Sequence, residues 1–346
     1  MKHARLTLSR LVIPLLMVLA FTLTACGDDD DGGSDGGDGD ALTVYSGREE
    51  EYVGPLFDQF TEATGIEVEV KYGESAELAA TLAEEGDNSP ADVFFSQDAS
   101  SLGAAESEGL LAALPDDVLE LVDRRYRSAE GAWVGTSGRA RVVGYNTEAV
   151  SEDELPASIY DFTDPEWSGR IGWAPTNGSF QAFLTAMRLT EGDEAAREWV
   201  EGIIANDAEE FTDNEAIRDA IAAGEIDVGF LNHYYIAQAV AEEGGDYPVG
   251  AHYTSGDVGS LVNVAGVGVV AASDRVDDAA EFARFMLGNE AQTHFADNVK
   301  EYPLIDAVEA DPAVPPLDQI DQPDVDLTEL TDLEGTLALL QEAGAL

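Results

Sequence analysis

The chain has 346 residues, 17 of them Lys or Arg against 70 Asp or Glu, for a formal charge of −53 at neutral pH. That acid excess argues against a nucleic-acid partner, favours cations, and repels itself unless salt screens it, as in a halophilic or salt-tolerant host. A single cysteine, Cys26, excludes an intrachain disulfide and a cysteine-based zinc site.

Residues 1–25 read as a secretion signal. Lys2, Arg5 and Arg10 make a basic start, and Leu11 to Leu23 is an apolar run too short to remain as a spanning helix. The end, Leu23-Thr24-Ala25-Cys26, resembles the lipobox of bacterial lipoproteins. That resemblance implies cleavage before Cys26, lipidation of its sulfur, and an extracytoplasmic domain anchored to the cell membrane. Removing the signal leaves 14 basic residues against 70 acidic ones, or −56, with Lys71 and Lys300 the only lysines. Residues 26–40 form a tether, since Asp28 to Asp40 holds only Asp, Gly and Ser and can bury no apolar surface. The roughly 300 residues that follow suit two domains.

Ala41 to Ser46 predicts a strand, and Tyr52 to Thr64 has helical apolar spacing closed by Gly65. Ile66 to Val70 alternates as a second strand, Ser75 to Glu85 predicts a helix, and Ala91 to Phe95 a buried strand. This alternation implies a parallel, doubly wound sheet. A helix over Ala99 to Gly109 and an irregular stretch over Leu114 to Arg127 come next. Two short strands are expected at Trp133 to Gly135 and Arg141 to Asn146. Asn177-Gly178-Ser179 opens a helix to about Thr190, and another spans Glu194 to Ile204. Glu225 to Val228 reads as a strand, and Ile236 to Glu243 as a helix. Between them stand Tyr234 and Tyr235, at the strand-to-helix rim where open α/β sheets bind ligands. A phenolate oxygen is a hard donor suited to highly charged cations, although most tyrosine pairs only pack. Leu261 to Ala271 predicts one or two strands with close backbone contacts. Asp277 to Leu287 and a segment from Glu290 predict helices. Pro303 to Pro323 is loop-like, and Leu327 to Leu340 closes the chain as a helix.

Several stretches, in order and spacing, resemble the ferric-iron-binding proteins of bacterial ABC importers, within the type II extracellular solute-binding proteins. They are Thr43-Val44-Tyr45-Ser46-Gly47, Glu84-Glu85-Gly86-Asp87 with Pro90-Ala91-Asp92-Val93-Phe94, and Ser137-Gly138-Arg139-Ala140-Arg141-Val142-Val143. Further on come Trp167-Ser168-Gly169-Arg170-Ile171-Gly172, Asn232-His233-Tyr234-Tyr235 and Glu301-Tyr302-Pro303-Leu304.

The resemblance implies an α/β, two-lobed, type II periplasmic-binding-protein-like fold, each lobe a doubly wound mixed sheet, joined by crossover strands. The first lobe would hold 41–140 and 264–312, and the second 141–263 and 313–346. Fe(III) would lie in the cleft, bound by Tyr234 and Tyr235 and, as in some members, by a third tyrosine matching Tyr145. Read as a residue alone, Tyr145 could equally be core. Other members carry a histidine ligand after the first strand where this chain has Glu49, itself either a ligand or one more solvated acid. Their further carboxylate ligand aligns with Gln97, a neutral amide suited to a water or an anion. Related proteins hold a synergistic anion such as carbonate or phosphate. Asn177, Gly178 and Ser179 at a helix start could receive it, with Arg139 and Arg141, which share one face of a strand and could otherwise make structural salt bridges. Asn232 and His233 are expected beside the metal rather than on it. His252 and His294 are expected at the surface or as caps. An ABC permease is the implied partner, and the protein would act as a monomer.

The rival readings keep the fold and change the solute to thiamine, a polyamine or an oxyanion, since adjacent tyrosines can stack on an organic cation. A secreted hydrolase lacks support: there is no G-x-S-x-G, no H-E-x-x-H and no cysteine nucleophile. No repeat suggests an adhesin.

Overall fold

The computed structural model describes residues 41–244 and 246–346. The signal, Cys26 and the tether lie outside them. Among the described residues no helix is long and apolar enough to cross a membrane.

In chain order the regular elements begin with β1 (Leu42–Ser46), α1 (Glu50–Thr64), β2 (Val68–Tyr72), α2 (Ser75–Glu85), β3 (Val93–Ser96) and α3 (Ala99–Ser107). Next are β4 (Leu111–Ala112), α4 (Asp116–Leu119), β5 (Trp133–Asn146), β6 (Ile171–Trp173), α5 (Gly178–Glu191) and α6 (Asp193–Ala205). Then follow β7 (Glu209–Glu210), α7 (Asn214–Ala223), β8 (Val228–Asn232), α8 (His233–Glu243), β9 (Val249–His252) and β10 (Val262–Val270). The chain closes with α9 (Val276–Met286), α10 (Asn289–His294), a π-turn (Phe295–Val299), β11 (Tyr302–Pro303) and α11 (Leu333–Ala343).

The strands form one mixed sheet in the order β2-β1-β3-β10-β5-β8-β6-β7, with β4 beside β10, and β9 and β11 beside β5. The β1–β2 and β1–β3 pairs are parallel, as the β-α-β-α-β order requires. Val44 on β1 and Val93 and Phe94 on β3 are fully buried, whereas the edge strand β2 keeps Val68 and Val70 only half-buried. An aromatic cluster of Phe57, Phe60, Phe95 and Phe282 seals α1 and α9 against them.

The central strand is longer than expected. Instead of two short strands, β5 runs unbroken for 14 residues. Gly135, which ended the first expected strand, and Gly138, in the expected gap, are places of close packing. A Cβ on Gly135 would lie 2.7 Å from the Tyr126 carbonyl, and one on Gly138 would lie 3.2 Å from the Tyr302 Cβ. Residues up to Ala140 pair with β10, and residues from Arg141 pair with β8 and β9, so β5 serves both halves of the sheet.

The C-terminal helix begins at Leu333 rather than Leu327, because Asp332 caps it by accepting the Gly335 N–H at 2.9 Å. Before it, a 3-10 turn over Leu327–Glu329 packs on α3 so closely that a Cβ on Gly103 would meet the Thr328 carbonyl at 3.1 Å. α11 then packs on α5 and α6, with Arg188 bound to Asp332 at 2.8 Å and the Thr185 and Thr336 hydroxyls 2.7 Å apart.

Candidate functional site

A cleft of about 680 Å³ opens where the loops after β1, β3 and β8 meet the start of α5. It gathers most of the expected residues. Glu49, Gln97, Arg139, Asn177, Gly178, Ser179, Asn232, Tyr234 and Tyr235 all line it.

Strand β8 delivers the tyrosines. It ends at Asn232, and α8 starts one residue later, so Tyr234 and Tyr235 occupy the first helical turn rather than a loop before it. Tyr234 is 2% exposed. The two rings lie 4.2 Å apart and 30° from parallel. Burial pushes the Tyr234 hydroxyl well above 10, and the charge of Tyr235 pushes it the same way. Burial raises Tyr235 too. Both are therefore neutral phenols at neutral pH, and a cation that took them would displace their protons.

Behind them the floor is cationic. Arg139 and Arg141 are 3% and 4% exposed and share a face of β5, as strand alternation dictates. Arg141 Nη1 donates to Asn232 Oδ1 at 3.1 Å, and to Asn214 Oδ1 and Ser179 Oγ at 3.3 Å each. Its partners are neutral amides and a hydroxyl, so burial pushes its pKa down to about 9, still charged at neutral pH. Arg139 Nε and Arg141 Nη2 are buried with no hydrogen-bond partner among the described residues. Neither arginine makes a salt bridge there; Arg139 lines the cleft, whereas Arg141, expected beside it, lies behind the lining residues Ser179, Asn214 and Asn232. Asn177 caps α5, its Oδ1 accepting from the Ser179 N–H at 3.1 Å and the Ser179 hydroxyl at 2.5 Å.

The opposite wall carries Glu49, exposed at the start of α1, with Gln97 Nε2 3.5 Å from its Oε1. Among the described residues no group of three or more His, Cys, Asp or Glu is placed to hold a metal.

Tyr145 is not in this cleft. In the β5–β8 register Tyr145 pairs with Val228, whereas Arg141 pairs with Asn232. Four residues of strand, about 14 Å, separate it from the end of β8 that carries the pair. Its ring instead covers Gly250, where a Cβ would come within 2.5 Å of the ring carbons. Nearer the cleft wall is Tyr52 on α1, whose ring lies 5.8 Å from the Arg48 guanidinium and whose phenol is pushed up by burial first and then by Tyr235, Glu51 and Glu49. It lies three residues after Glu49, on the first turn of α1 that the sequence reading had marked only as a packing face.

His233 is buried and stacks on Tyr302 at 4.5 Å. Its Nδ1 accepts the Ala140 N–H at 3.2 Å, and burial lowers its pKa to about 4, so it is a neutral support behind the site. His252 and His294 are neither free nor capping: each places Nε2 against a loop or helix carbonyl, Pro156 at 2.8 Å and Tyr52 at 2.7 Å. Sequence reasoning missed Arg48, Asp213 and Asn214 in the cleft lining. The two polar residues lie where β7 leads into α7, a helix the sequence reading passed over.

Three comparisons bear on this geometry. A family model described as bacterial extracellular solute-binding protein matches residues 88–328. A major ferric iron-binding protein of Neisseria meningitidis serogroup B is 34% identical over 270 residues, 76% of this chain and 80% of that one. Iron-bound HitA from Pseudomonas aeruginosa superposes with a TM-score of 0.82 at 34% identity, covering 88% of this chain and 99% of that one. Trichodesmium FutA in complex with iron and citrate does so with a TM-score of 0.76 at 29% identity, covering the same 88% and 99%. The mixed sheet with its flanking helices is thus the type II periplasmic-binding-protein fold.

Proposed function

The chain belongs to the bacterial extracellular solute-binding protein family, and from that premise we propose that it captures Fe(III) in the cleft and passes it to an ABC import permease. Tyr234 and Tyr235 supply the donor oxygens, and Glu49 adds a carboxylate from the opposite wall. Arg139, Arg141, Asn177, Gly178 and Ser179 receive an accompanying oxyanion such as carbonate or phosphate. The lobes are 41–140 with 264–312 and 141–263 with 313–346, and the ion favours their closed arrangement because its ligands come from both. No bond is made or broken in the solute, so the protein is a carrier and not an enzyme. It works as a monomer, held to the outer face of the membrane through Cys26.

The observation that carries this reading is the tyrosine pair at the head of α8, Tyr234 buried and Tyr235 partly so, lining a cleft with Arg139, whose Nε has no hydrogen-bond partner among the described residues. Metal content and the visible spectrum of the purified protein test it. Tyrosinate bound to Fe(III) absorbs visible light, so an uncoloured protein after addition of ferric citrate ends the proposal. Mass spectrometry of the mature N-terminus tests the anchor, which fails if Cys26 is unmodified.

A further inference from the structure

One costly feature has no part in the iron site as drawn so far. Arg48 Nη2 donates to Glu301 Oε1 at 2.9 Å, and the two side chains are 1% and 0% exposed. The other Glu301 oxygen accepts a 2.5 Å hydrogen bond from Ser137 Oγ. Sealing an ion pair from water carries a desolvation penalty that its mutual attraction often fails to repay, and well-packed apolar residues would commonly serve stability as well. The pair is therefore weak evidence of a purely stabilising role.

The backbone leading to Glu301 is also unusual. Helix α10 runs into a π-turn over Phe295–Val299, and Lys300 then takes the left-handed region at φ 65 although it has a side chain. Both conformations are disfavoured and collect at functional sites. Lys300 is pinned there by Asp311 at 2.6 Å. The effect of the two turns is to bring the Glu301 carboxylate into the interior.

There it joins two parts of the capture machinery. Arg48 lines the cleft and immediately precedes Glu49. Its backbone is held by Ser46 Oγ, which donates to the Arg48 carbonyl at 3.0 Å and accepts the Arg48 N–H at 3.2 Å. Its Nε is buried without a hydrogen-bond partner among the described residues. Ser137 lies on β5 two residues before Arg139, in the stretch that pairs with β10 and β11.

We propose that Glu301 is a positioning residue for metal capture: it fixes the Arg48 guanidinium against the cleft floor and ties the Gly47–Glu49 wall to strand β5. Glu49 is thereby held in a fixed place on the first-lobe wall, from which it meets the tyrosine pair when the lobes close. This rests on the iron reading. It assigns Glu301 no contact with the ion.

Glu301→Gln removes the charge and keeps the shape. Iron loaded as ferric citrate should leave this variant about 10- to 100-fold faster than wild type, the usual cost of disturbing the groups behind a metal's ligands. The visible band should survive, since both tyrosines remain, with its maximum shifted. The double variant Arg48→Met with Glu301→Gln separates positioning from mere stability, because it leaves no uncompensated buried charge. It should recover the thermal midpoint that Glu301→Gln loses and still release iron fast. Wild-type release from the double variant overturns the proposal, as does an unshifted band with wild-type release from Glu301→Gln. A wild-type protein that takes no colour removes the iron reading and this inference together. A coloured wild type with unaffected variants removes only the role of Glu301.

Discussion

Tyr234→Phe and Tyr235→Phe each delete one donor oxygen and keep the ring. In the metal-free protein, burial holds both phenols protonated past their ordinary pKa of 10. Fe(III) taken by both oxygens must therefore expel about two protons, and its apparent affinity should rise about a hundredfold per pH unit near neutrality. The sign is fixed: lowering the pH refills the phenols and weakens binding. Each variant keeps one tyrosine, so it should expel about one proton and show only about a tenfold dependence per unit. The stacked rings stay in place, and the loss of one hydroxyl should move the unfolding free energy by no more than about 1 kcal/mol. Calorimetry in two buffers of different ionisation enthalpy counts the protons, while the visible band reports the tyrosinates. A variant with full colour and undiminished proton release would show that its tyrosine is no ligand.

Tyr145→Phe should leave the band and the iron stoichiometry as in wild type, because its ring lies over Gly250 away from the cleft; lost colour would contradict the β5–β8 register. Phe282→Ala empties a fully buried position among Phe57, Phe60 and Phe95 and should cost about 3–5 kcal/mol in denaturant unfolding; a cost under about 1 kcal/mol would mean that the cluster is not the packed core described. With a formal charge of −53 on the chain, the melting temperature should climb as KCl goes from about 0.1 to 1 M and the screening length falls from about 10 to 3 Å; a flat or falling curve argues against a salt-dependent fold.

Local patterns carried the α/β alternation well. Helix α2 was legible to the residue, and α1, α5, α6 and α9 to within a residue or two, because apolar spacing and a terminal glycine mark such elements. What failed depended on distant neighbours. The stretch between Gly135 and Arg141 lacked a local strand pattern, yet it continues β5, with Tyr126 and Tyr302 packed against Gly135 and Gly138. The start of α11 depended on Asp332, already engaged with Arg188. In the site, Tyr234, Tyr235, Arg139 and the Asn177 cap stand together where a strand-to-helix rim and a helix start predict them. Tyr145 was misplaced because a family motif fixes a residue on a strand but not which end of that strand meets the cleft. Arg48 and Glu301 are 253 residues apart, and no local pattern could pair them.

The sorting of charge in the cleft bears on which solute fits. Its rim is acidic: Glu49, Glu50, Glu74, Asp98 and Asp213 line it, all at least partly exposed. Beneath it lie three buried guanidiniums, Arg48 and Arg139 in the lining and Arg141 just behind it, with the buried carboxylate of Glu301 paired to Arg48. The neutral tyrosine pair lies between. A bulky organic cation reaching the tyrosines would press on a floor of its own sign, which counts against thiamine or a polyamine. A lone oxyanion would suit the floor and leave the phenols idle. A trivalent ion that converts two phenols to phenolates and takes Glu49 is neutral with its ligands, so the floor keeps its surplus of two positive charges. An oxyanion beneath the metal would balance that surplus, and of the solutes considered, only a ferric ion with its anion uses both layers at once.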